Sequence, residues 1–101
     1  MKSDEAIMVF TALAQETRLK IYKLIVKNNL TGICPCEIAE KLRIPRNTLS
    51  FHLSLLSQAG LCSFTKKGKM LIYKSNCSKV KDVVKFLHKD CISCHDESLG
   101  G

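Results

Sequence analysis

Four of the six cysteines in this chain lie in two close pairs, and thiol chemistry is the first activity that the sequence indicates. Thiolate sulfur selects thiophilic ions, whereas oxygen ligands suit harder ones. Cys91 and Cys94 are three residues apart near the end of the chain. They share a face if the preceding helix continues, and they can converge if it ends in a loop. We therefore predict Cys91 and Cys94 as the first choice of ligands for a thiophilic ion.

Cys34 and Cys36 form the second pair. Residues i and i+2 do not face the same way on a helix, so one ion could use both sulfurs only by distorting the turn that carries them. Free cysteine is also a common small apolar residue, which would leave either thiol without a ligand role. The spacing alone leaves both interpretations open.

The remaining residues allow other kinds of thiol chemistry. Cys62 and Cys77 have no close partner in sequence, but either could complete a three-sulfur site in space. His95 and the acidic residues after it permit a mixed site that would suit zinc. A CxxC oxidoreductase is disfavoured, because Cys91–Cys94 follows a helical pattern rather than a strand, and no other motif indicates an enzyme. A thiol-redox switch that needs no metal remains an alternative.

Charge and hydropathy limit where these groups work and what they act on. The chain has 101 residues, enough for one small domain, and its net charge is +7. This balance favours a polyanionic partner, nucleic acid before a membrane surface, although a solvated basic surface is the alternative. No run is apolar and long enough to span a bilayer, and the start lacks the features of a signal peptide. We expect a cytoplasmic protein whose thiols stay reduced.

The element that must position these groups is a helix-turn-helix over Cys34–Gly60. Its first helix has Ile38 and Leu42 at i, i+4. Arg43–Pro45 breaks the pattern, because proline disfavours the helical region for the residue before it, and Gly60 ends the second helix. The apolar stripe of that second helix recurs at i, i+4, i+7 and consists of Leu49, Leu53 and Leu56.

Further elements surround this unit. Ser3 is the predicted N-cap of a first helix that is apolar on nearly all sides, covered by a second subunit or by a crowded core. Gln15–Asn28 is the predicted second helix. Leu61–Thr65 and Met70–Ser75 are predicted to pair as a hairpin, and the basic residues between them form its tip.

The predicted fold is mainly α with a small β-hairpin, in the order α-α-α-α-β-β-α, with Ser78 capping the last helix. A helix-turn-helix followed by a basic hairpin is the winged helix-turn-helix arrangement. We assign residues 1–90 to one DNA-binding and dimerisation domain. Residues 91–101 form a cysteine-containing C-terminal tail.

A winged helix places the second helix of its helix-turn-helix in the major groove and its hairpin against the backbone or minor groove. One face of that helix carries Asn47, Ser50, Phe51 and Ser54, flanked by Arg46, Thr48 and His52. Arg and Asn can contact base edges, Ser and Thr can bond phosphates or bases, and Phe can meet a thymine methyl. The hairpin supplies cations that suit phosphate, Lys66, Lys67 and Lys69. The alternative is an ordinary polar face and a charged turn.

The order of several short motifs closely resembles the ArsR family of metalloid- and metal-responsive repressors. The motifs extend over nearly the entire chain and are Leu13–Leu19 (LAQETRL), Glu37–Ala39 (EIA), Asn47–Leu53 (NTLSFHL), Ala59–Leu61 (AGL) and Ile72-Tyr73. The resemblance implies a homodimeric winged-helix repressor that pairs through its first and last helices. It also implies that the protein binds an imperfect palindrome in double-stranded DNA and leaves it when an inducer binds.

The resemblance also bears on the inducer. Several arsenic repressors have a cysteine pair after a segment similar to Val84–Leu87, which supports the later cysteine pair. Cys34 and Cys36 look like the first two cysteines of a family motif in which Ala39 stands in place of the third. We therefore expect arsenite or antimonite, As(III) or Sb(III), as the inducer, with cadmium, lead or zinc as the second choice.

Overall fold

The computed structural model describes residues 1–91 as five helices and a two-stranded antiparallel sheet. In chain order the elements are α1 (Ser3–Leu13), α2 (Glu16–Lys27), α3 (Pro35–Leu42), α4 (Arg46–Gln58), β1 (Cys62–Lys67), β2 (Met70–Ser75) and α5 (Cys77–Cys91). The predicted order α-α-α-α-β-β-α is confirmed. None of these helices is both long and apolar enough to cross a bilayer. Residues 92–101, which include Cys94 and most of the predicted tail, lie outside the described residues.

The starts of the first and last helices differ slightly from the prediction. Lys2, rather than Ser3, is the N-cap of α1, and its backbone N–H donates to the Glu5 carboxylate at 3.0 Å. Ser78 does not cap α5 but lies in its first turn, where its hydroxyl donates to Asn76 Oδ1 at 2.7 Å. Neither serine therefore has the capping role that the sequence predicted.

The break in the helix-turn-helix lies where the sequence predicts it, between α3 and α4. Arg43 adopts the left-handed conformation with φ of +55°, and the N–H of Ile44 donates back to the Ala39 carbonyl at 3.0 Å. Pro45 is the N-cap of α4. The left-handed residue reverses the chain, and the proline then starts the next helix with its fixed φ.

The core lies between α2, the helix-turn-helix and the hairpin. The predicted stripe residues Ile38, Leu49, Leu53 and Leu56 are all buried, while Leu42 is partly buried against the same cluster. The largest fully buried side chains in the described residues are Ile21, Ile25, Ile33, Ile38, Leu49, Leu56, Leu61 and Val9. Burying each such side chain contributes about 1.5–3 kcal/mol, so this cluster holds the two helices of the helix-turn-helix together.

The hairpin is longer and its turn tighter than predicted. Lys67 pairs with Met70, which leaves only Gly68 and Lys69 in the turn. Lys66 therefore lies in strand β1 with Lys67, not in the tip as predicted. Gly68 has φ of +62°, which a two-residue hairpin turn requires at its first position. The turn chemistry of this glycine sets the register of the whole hairpin.

A short backbone pairing attaches the hairpin to the helix-turn-helix. Ile33 and Tyr73 exchange two hydrogen bonds, from Ile33 N–H at 3.0 Å and from Tyr73 N–H at 2.8 Å. Asn29 Oδ1 accepts a further bond from the N–H of Ser75 at 2.8 Å. Strand β2 is thereby fixed against the segment that leads into α3.

Gly32 lies at this junction, and replacing it with alanine should destabilise the fold strongly. Its φ is +82°, and an added Cβ would meet the Ile72 side chain and lie 3.2 Å from the Tyr73 carbonyl oxygen. Positive φ and a forced clash together should cost about 2–4 kcal/mol. Urea unfolding of Gly32→Ala measures the loss. Gly68→Ala is the control, since it has positive φ but open space, and an equal loss in both variants would contradict the junction argument.

Candidate nucleic-acid interface and adjoining thiols

Helix α4 presents a polar face to solvent. Asn47, Ser50 and Ser54 are exposed, and Phe51, 60% exposed, lies among them. Arg46 and Thr48 at the start of the helix are exposed as well. The amide, hydroxyl and guanidinium groups on this face can hydrogen-bond to base edges, and the exposed aromatic ring can make apolar contacts with them.

His52 differs from its predicted neighbours because it is buried, with 8% of its surface exposed. It lies at i+3 from Leu49 and i−4 from Leu56, so it belongs to the buried stripe of α4. Its Nδ1 is 3.3 Å from Arg18 Nη1, so the ring nitrogen accepts from the guanidinium. This placement does not fit the predicted contact of His52 with DNA. The spacing of His52 from Leu49 and Leu56 in the sequence could have indicated that it is buried.

Arg18 makes contacts between helices that the sequence did not indicate. Its Nε donates to the Ala12 carbonyl at 2.7 Å, and its backbone N–H donates to the Gln15 side chain at 2.8 Å. Together with the bond to His52, these contacts join the end of α1, the start of α2 and the inner face of α4. Desolvation and the nearby Arg18 charge both lower the pKa of His52, which favours the neutral imidazole that can accept from the guanidinium.

The hairpin presents its cations at the end farthest from its attachment to the core. Lys66, Lys67 and Lys69 are all exposed, and neither strand contains Asp or Glu. Phe64 is half exposed and lies 5.3 Å, centroid to centroid, from the buried Tyr73 ring. The hairpin therefore combines an anchored base with a positively charged end suited to phosphate.

Cys34 and Cys36 lie at the first turn of α3. Cys34 is the N-cap, partly buried, with extended backbone angles (φ −92°, ψ 154°), and Pro35 is the first helical residue. Cys36 is exposed, and its sulfur accepts a hydrogen bond from Arg46 Nη1 at 3.2 Å. The second cysteine of the pair thus contacts a residue of the exposed α4 face directly.

The other cysteines lie apart from this pair. Burial raises the pKa of the Cys62 thiol, which contacts the Ser57 hydroxyl at 3.5 Å. Cys77 contacts the Ser75 hydroxyl at 3.1 Å. The predicted ligands Cys91 and Cys94 lie at and beyond the end of α5, outside the side chains that the structure describes. Within the described residues, no three His, Cys, Asp or Glu side chains form a group that could hold a metal ion.

An anchored hairpin beside a helix-turn-helix defines a winged helix-turn-helix DNA-binding protein. A family model described as a helix-turn-helix domain matches residues 13–61. The structure is similar to that of an ArsR-like transcriptional regulator from Rhodococcus sp. RHA1, with a TM-score of 0.81 and 24% identity over 96% of this chain and 88% of that one. This likeness shows that the two chains share a fold.

Sequence relatives of this chain include three transcriptional regulators. A helix-turn-helix-type transcriptional regulator of Methanocaldococcus jannaschii is 34% identical over 85% of this chain and 94% of its own length. A cadmium resistance regulatory protein CadC homolog of Staphylococcus aureus is 37% identical over 80% of this chain and 67% of its own length. The arsenical resistance operon repressor of Escherichia coli K12 is 37% identical over 67% of this chain and 56% of its own length. The chain belongs to the ArsR family, and it is a DNA-binding transcriptional regulator rather than an enzyme.

The buried histidine predicts how the stability of the protein depends on pH. Because the folded-state pKa of His52 is lowered, the unfolded chain binds the proton more readily. The stabilisation is therefore complete above the unfolded pKa of about 6.5 and is lost as the pH falls through the folded value. Urea unfolding between pH 7.5 and 5 should show a decline that is smaller in His52→Gln. Parallel pH profiles in the two proteins would contradict this assignment.

Proposed function

We propose that this chain is a cytoplasmic, homodimeric transcriptional repressor that releases an imperfect palindromic operator when a thiophilic ion binds. Arsenite or antimonite is the proposed inducer. The observation that carries the proposal is the position of two thiols, Cys34 and Cys36, at the leading turn of the helix-turn-helix itself. An ion bound there acts on the DNA-reading unit without any intervening element.

The exposed apolar side chains support pairing through α1 and α5. On α1, Ile7 is 61% exposed, and Met8 and Phe10 are also exposed. Val84 on α5 is 56% exposed. Exposed apolar side chains grouped in this way are typical of protein interfaces, and a second copy of the chain would cover them. Residues 1–90 then serve as both the DNA-binding and the dimerisation domain.

The DNA contacts divide by role. Arg46, Asn47, Thr48, Ser50, Phe51 and Ser54 on α4 enter the major groove, and Asn47 and Arg46 have the groups that distinguish base pairs. Lys66, Lys67 and Lys69 contact phosphates, which strengthens binding at any sequence. Two such surfaces on a homodimer match the two halves of a palindrome.

The position of Cys34 supports an ion held by both thiols. As the N-cap, Cys34 has extended rather than helical backbone angles, so the helical spacing rule does not separate its side chain from that of Cys36. Cys91 and Cys94 remain proposed ligands and would supply further sulfur from the tail. The similarity to the arsenical resistance operon repressor of E. coli supports a metalloid.

Binding at Cys34 would disturb two parts of the DNA-binding surface. The Cys34 carbonyl accepts first-turn hydrogen bonds from Glu37 and Ile38 at 3.1 and 3.2 Å, so it anchors the start of α3. Ile33, the residue before it, pairs with Tyr73 in the hairpin. A coupling of about 1–3 kcal/mol, ordinary for allosteric sites, is sufficient to release the operator.

A divalent ion is the second candidate inducer. The similarity to the CadC homolog of S. aureus, a cadmium resistance protein by its name, favours cadmium within this class. Lead and zinc are the related alternatives. A thiol-redox switch would use the same cysteines without an ion, and release by oxidants alone would identify it.

Two substitutions separate base reading from phosphate binding. Asn47→Ala should lose about 1–3 kcal/mol of binding to the preferred operator and lose discrimination at one base pair. Lys67→Ala should weaken binding to all sequences alike and lower the salt slope by about one. Fluorescence anisotropy at several salt concentrations, with an operator selected from random DNA, measures both effects. The proposed roles are wrong if Lys67→Ala changes sequence preference or Asn47→Ala changes only the salt slope.

Operator release by ions tests the inducer. Arsenite and antimonite should release DNA from the wild-type protein at lower concentration than cadmium, lead or zinc, since three-coordinate metalloids need only thiolate ligands. The double variant Cys34→Ser/Cys36→Ser should lose most of this response, whereas Cys77→Ser, an exposed cysteine outside the proposed site, should keep it. Anisotropy titrations of the labelled operator give the half-release concentrations.

The results of these titrations distinguish between the candidate ligands and between the candidate inducers. A normal response in the Cys34/Cys36 double variant, lost instead in Cys91→Ser/Cys94→Ser, would place the essential ligands in the tail. Release by cadmium or zinc but not by arsenite would overturn the metalloid proposal. Release by hydrogen peroxide and by no ion would favour the thiol switch.

A further inference from the structure

We propose that Cys36 is a positioning residue for DNA binding: its sulfur holds the guanidinium of Arg46 in place at the start of α4. In addition, and resting on the proposed function, capture of this sulfur by the inducer releases Arg46. The same thiol would then serve as an anchor for a DNA contact in the ion-free protein and as a ligand in the induced protein.

The contact crosses the turn of the helix-turn-helix. Cys36 is the second residue of α3, Arg46 is the first of α4, and Arg46 Nη1 is 3.2 Å from Cys36 Sγ. This distance is short for a hydrogen bond to sulfur, whose large radius ordinarily allows longer separations. A guanidinium has five N–H donors in a rigid plane, so one bond to sulfur leaves the rest available for phosphate or a base edge.

No carboxylate in the described residues competes for Arg46. The acid closest in sequence to Cys36, Glu37, pairs with Lys41 at 3.7 Å, and the other ion pairs among the described side chains lie on α1, α2 and α5. The hydrogen bond to Cys36 is therefore what restricts this long, exposed side chain. Arginine loses much rotamer freedom when it is held in one geometry, and a restriction made before DNA binds lowers that loss on binding.

An inducer would remove this restriction. Arsenite would form an As–S bond to Cys36, and the thiol proton and one arsenic-bound hydroxide would leave together as water. The sulfur would then share its electron density with arsenic and would be a weaker acceptor for Nη1. The Arg46 side chain is then free to adopt several rotamers, and operator binding must restrict it to one, which weakens binding. This effect adds to any movement of α3 and acts at the N-terminal end of α4, where base-contacting residues of recognition helices lie.

A double-mutant cycle in the ion-free protein tests the positioning role. Operator affinity is measured by anisotropy for wild type, Cys36→Ala, Arg46→Ala and the double variant. Cys36→Ala should weaken binding about 2- to 10-fold, the range of one hydrogen bond. Arg46→Ala should weaken it more, and the double variant should bind no worse than Arg46→Ala. Fully additive losses would overturn the proposal.

Two further variants exclude a purely structural effect. Cys36→Ser keeps a hydrogen-bond acceptor and should restore most of the affinity lost in Cys36→Ala, with the salt slope of the wild type. Cys77→Ala removes another exposed thiol that contacts a hydroxyl group, and it should bind the operator as the wild type does. Failure of the serine variant to restore affinity, with all variants folded by circular dichroism, would contradict a role through the hydrogen bond.

Arsenite is the probe for the second claim, that inducer binding releases Arg46, which rests on the proposed function. In Arg46→Ala, arsenite should reduce operator affinity by a smaller factor than in the wild type, and the difference should match the loss caused by Cys36→Ala alone. An equal arsenite effect in both proteins would overturn the release step. If arsenite leaves the wild-type complex intact while the ion-free cycle shows coupling, the proposed inducer fails and the positioning role stands.

Discussion

The two hydrogen bonds between Ile33 and Tyr73 make the helix-turn-helix and the hairpin a single DNA-binding body. Ile33 is fully buried and Tyr73 nearly so, which shields both bonds from water and strengthens them. An isolated two-stranded hairpin is marginal in water, so this one depends on its attachment. Cys34 directly follows Ile33, and any change in the backbone at that cysteine therefore acts on α3 and on the hairpin together.

Arg18 makes the second connection, from α1 to α4. It is a partly buried cation that, within residues 1–91, is satisfied by a carbonyl oxygen and a neutral imidazole rather than by a carboxylate. These hydrogen bonds depend on geometry more than on net charge, because the N–H groups of the Arg18 guanidinium must point at acceptors that the helices hold in place. The helix with the most exposed apolar side chains is thus joined to the helix with the polar face. In the proposed dimer, this contact would connect a rearrangement between the subunits to the side chains of α4 that we propose contact DNA.

Local patterns predicted the elements of the fold, and contacts between distant segments explain what they missed. The leucine stripe of α4, the glycine that follows it and the bounds of β2 each depend on a few adjacent residues, and these were predicted correctly. The register that places Lys66 and Lys67 in β1 depends on Gly68 in the turn. In the sequence, the run of lysines favoured a longer turn. The burial of His52 followed from helical spacing, but its polar type favoured the wrong side of the helix.

In the candidate site, too, local patterns predicted some features, while contacts between distant residues could not be predicted. Residue type and spacing identified the two cysteine pairs and the polar face of α4, since soft ligands and hydrogen-bonding side chains are visible in the sequence. The contact of Arg46 with Cys36 requires the turn between two helices to bring together residues ten positions apart. The pairing of Ile33 with Tyr73 spans forty positions, and nothing local encodes it. The proposed coupling between inducer and DNA depends on these non-local contacts.

Hydrogen exchange of the ion-free and arsenite-bound protein tests most directly whether the leading turn of the helix-turn-helix is the sensor. The amides of Glu37 and Ile38, which donate to the Cys34 carbonyl, and those of Ile33 and Tyr73, which pair with each other, report on the two connections. We expect all four to exchange faster when arsenite binds, while the buried middle of α2 keeps its protection. Unchanged exchange at these amides, with changes confined to the end of α5 and the tail, would contradict a sensor at Cys34 and Cys36.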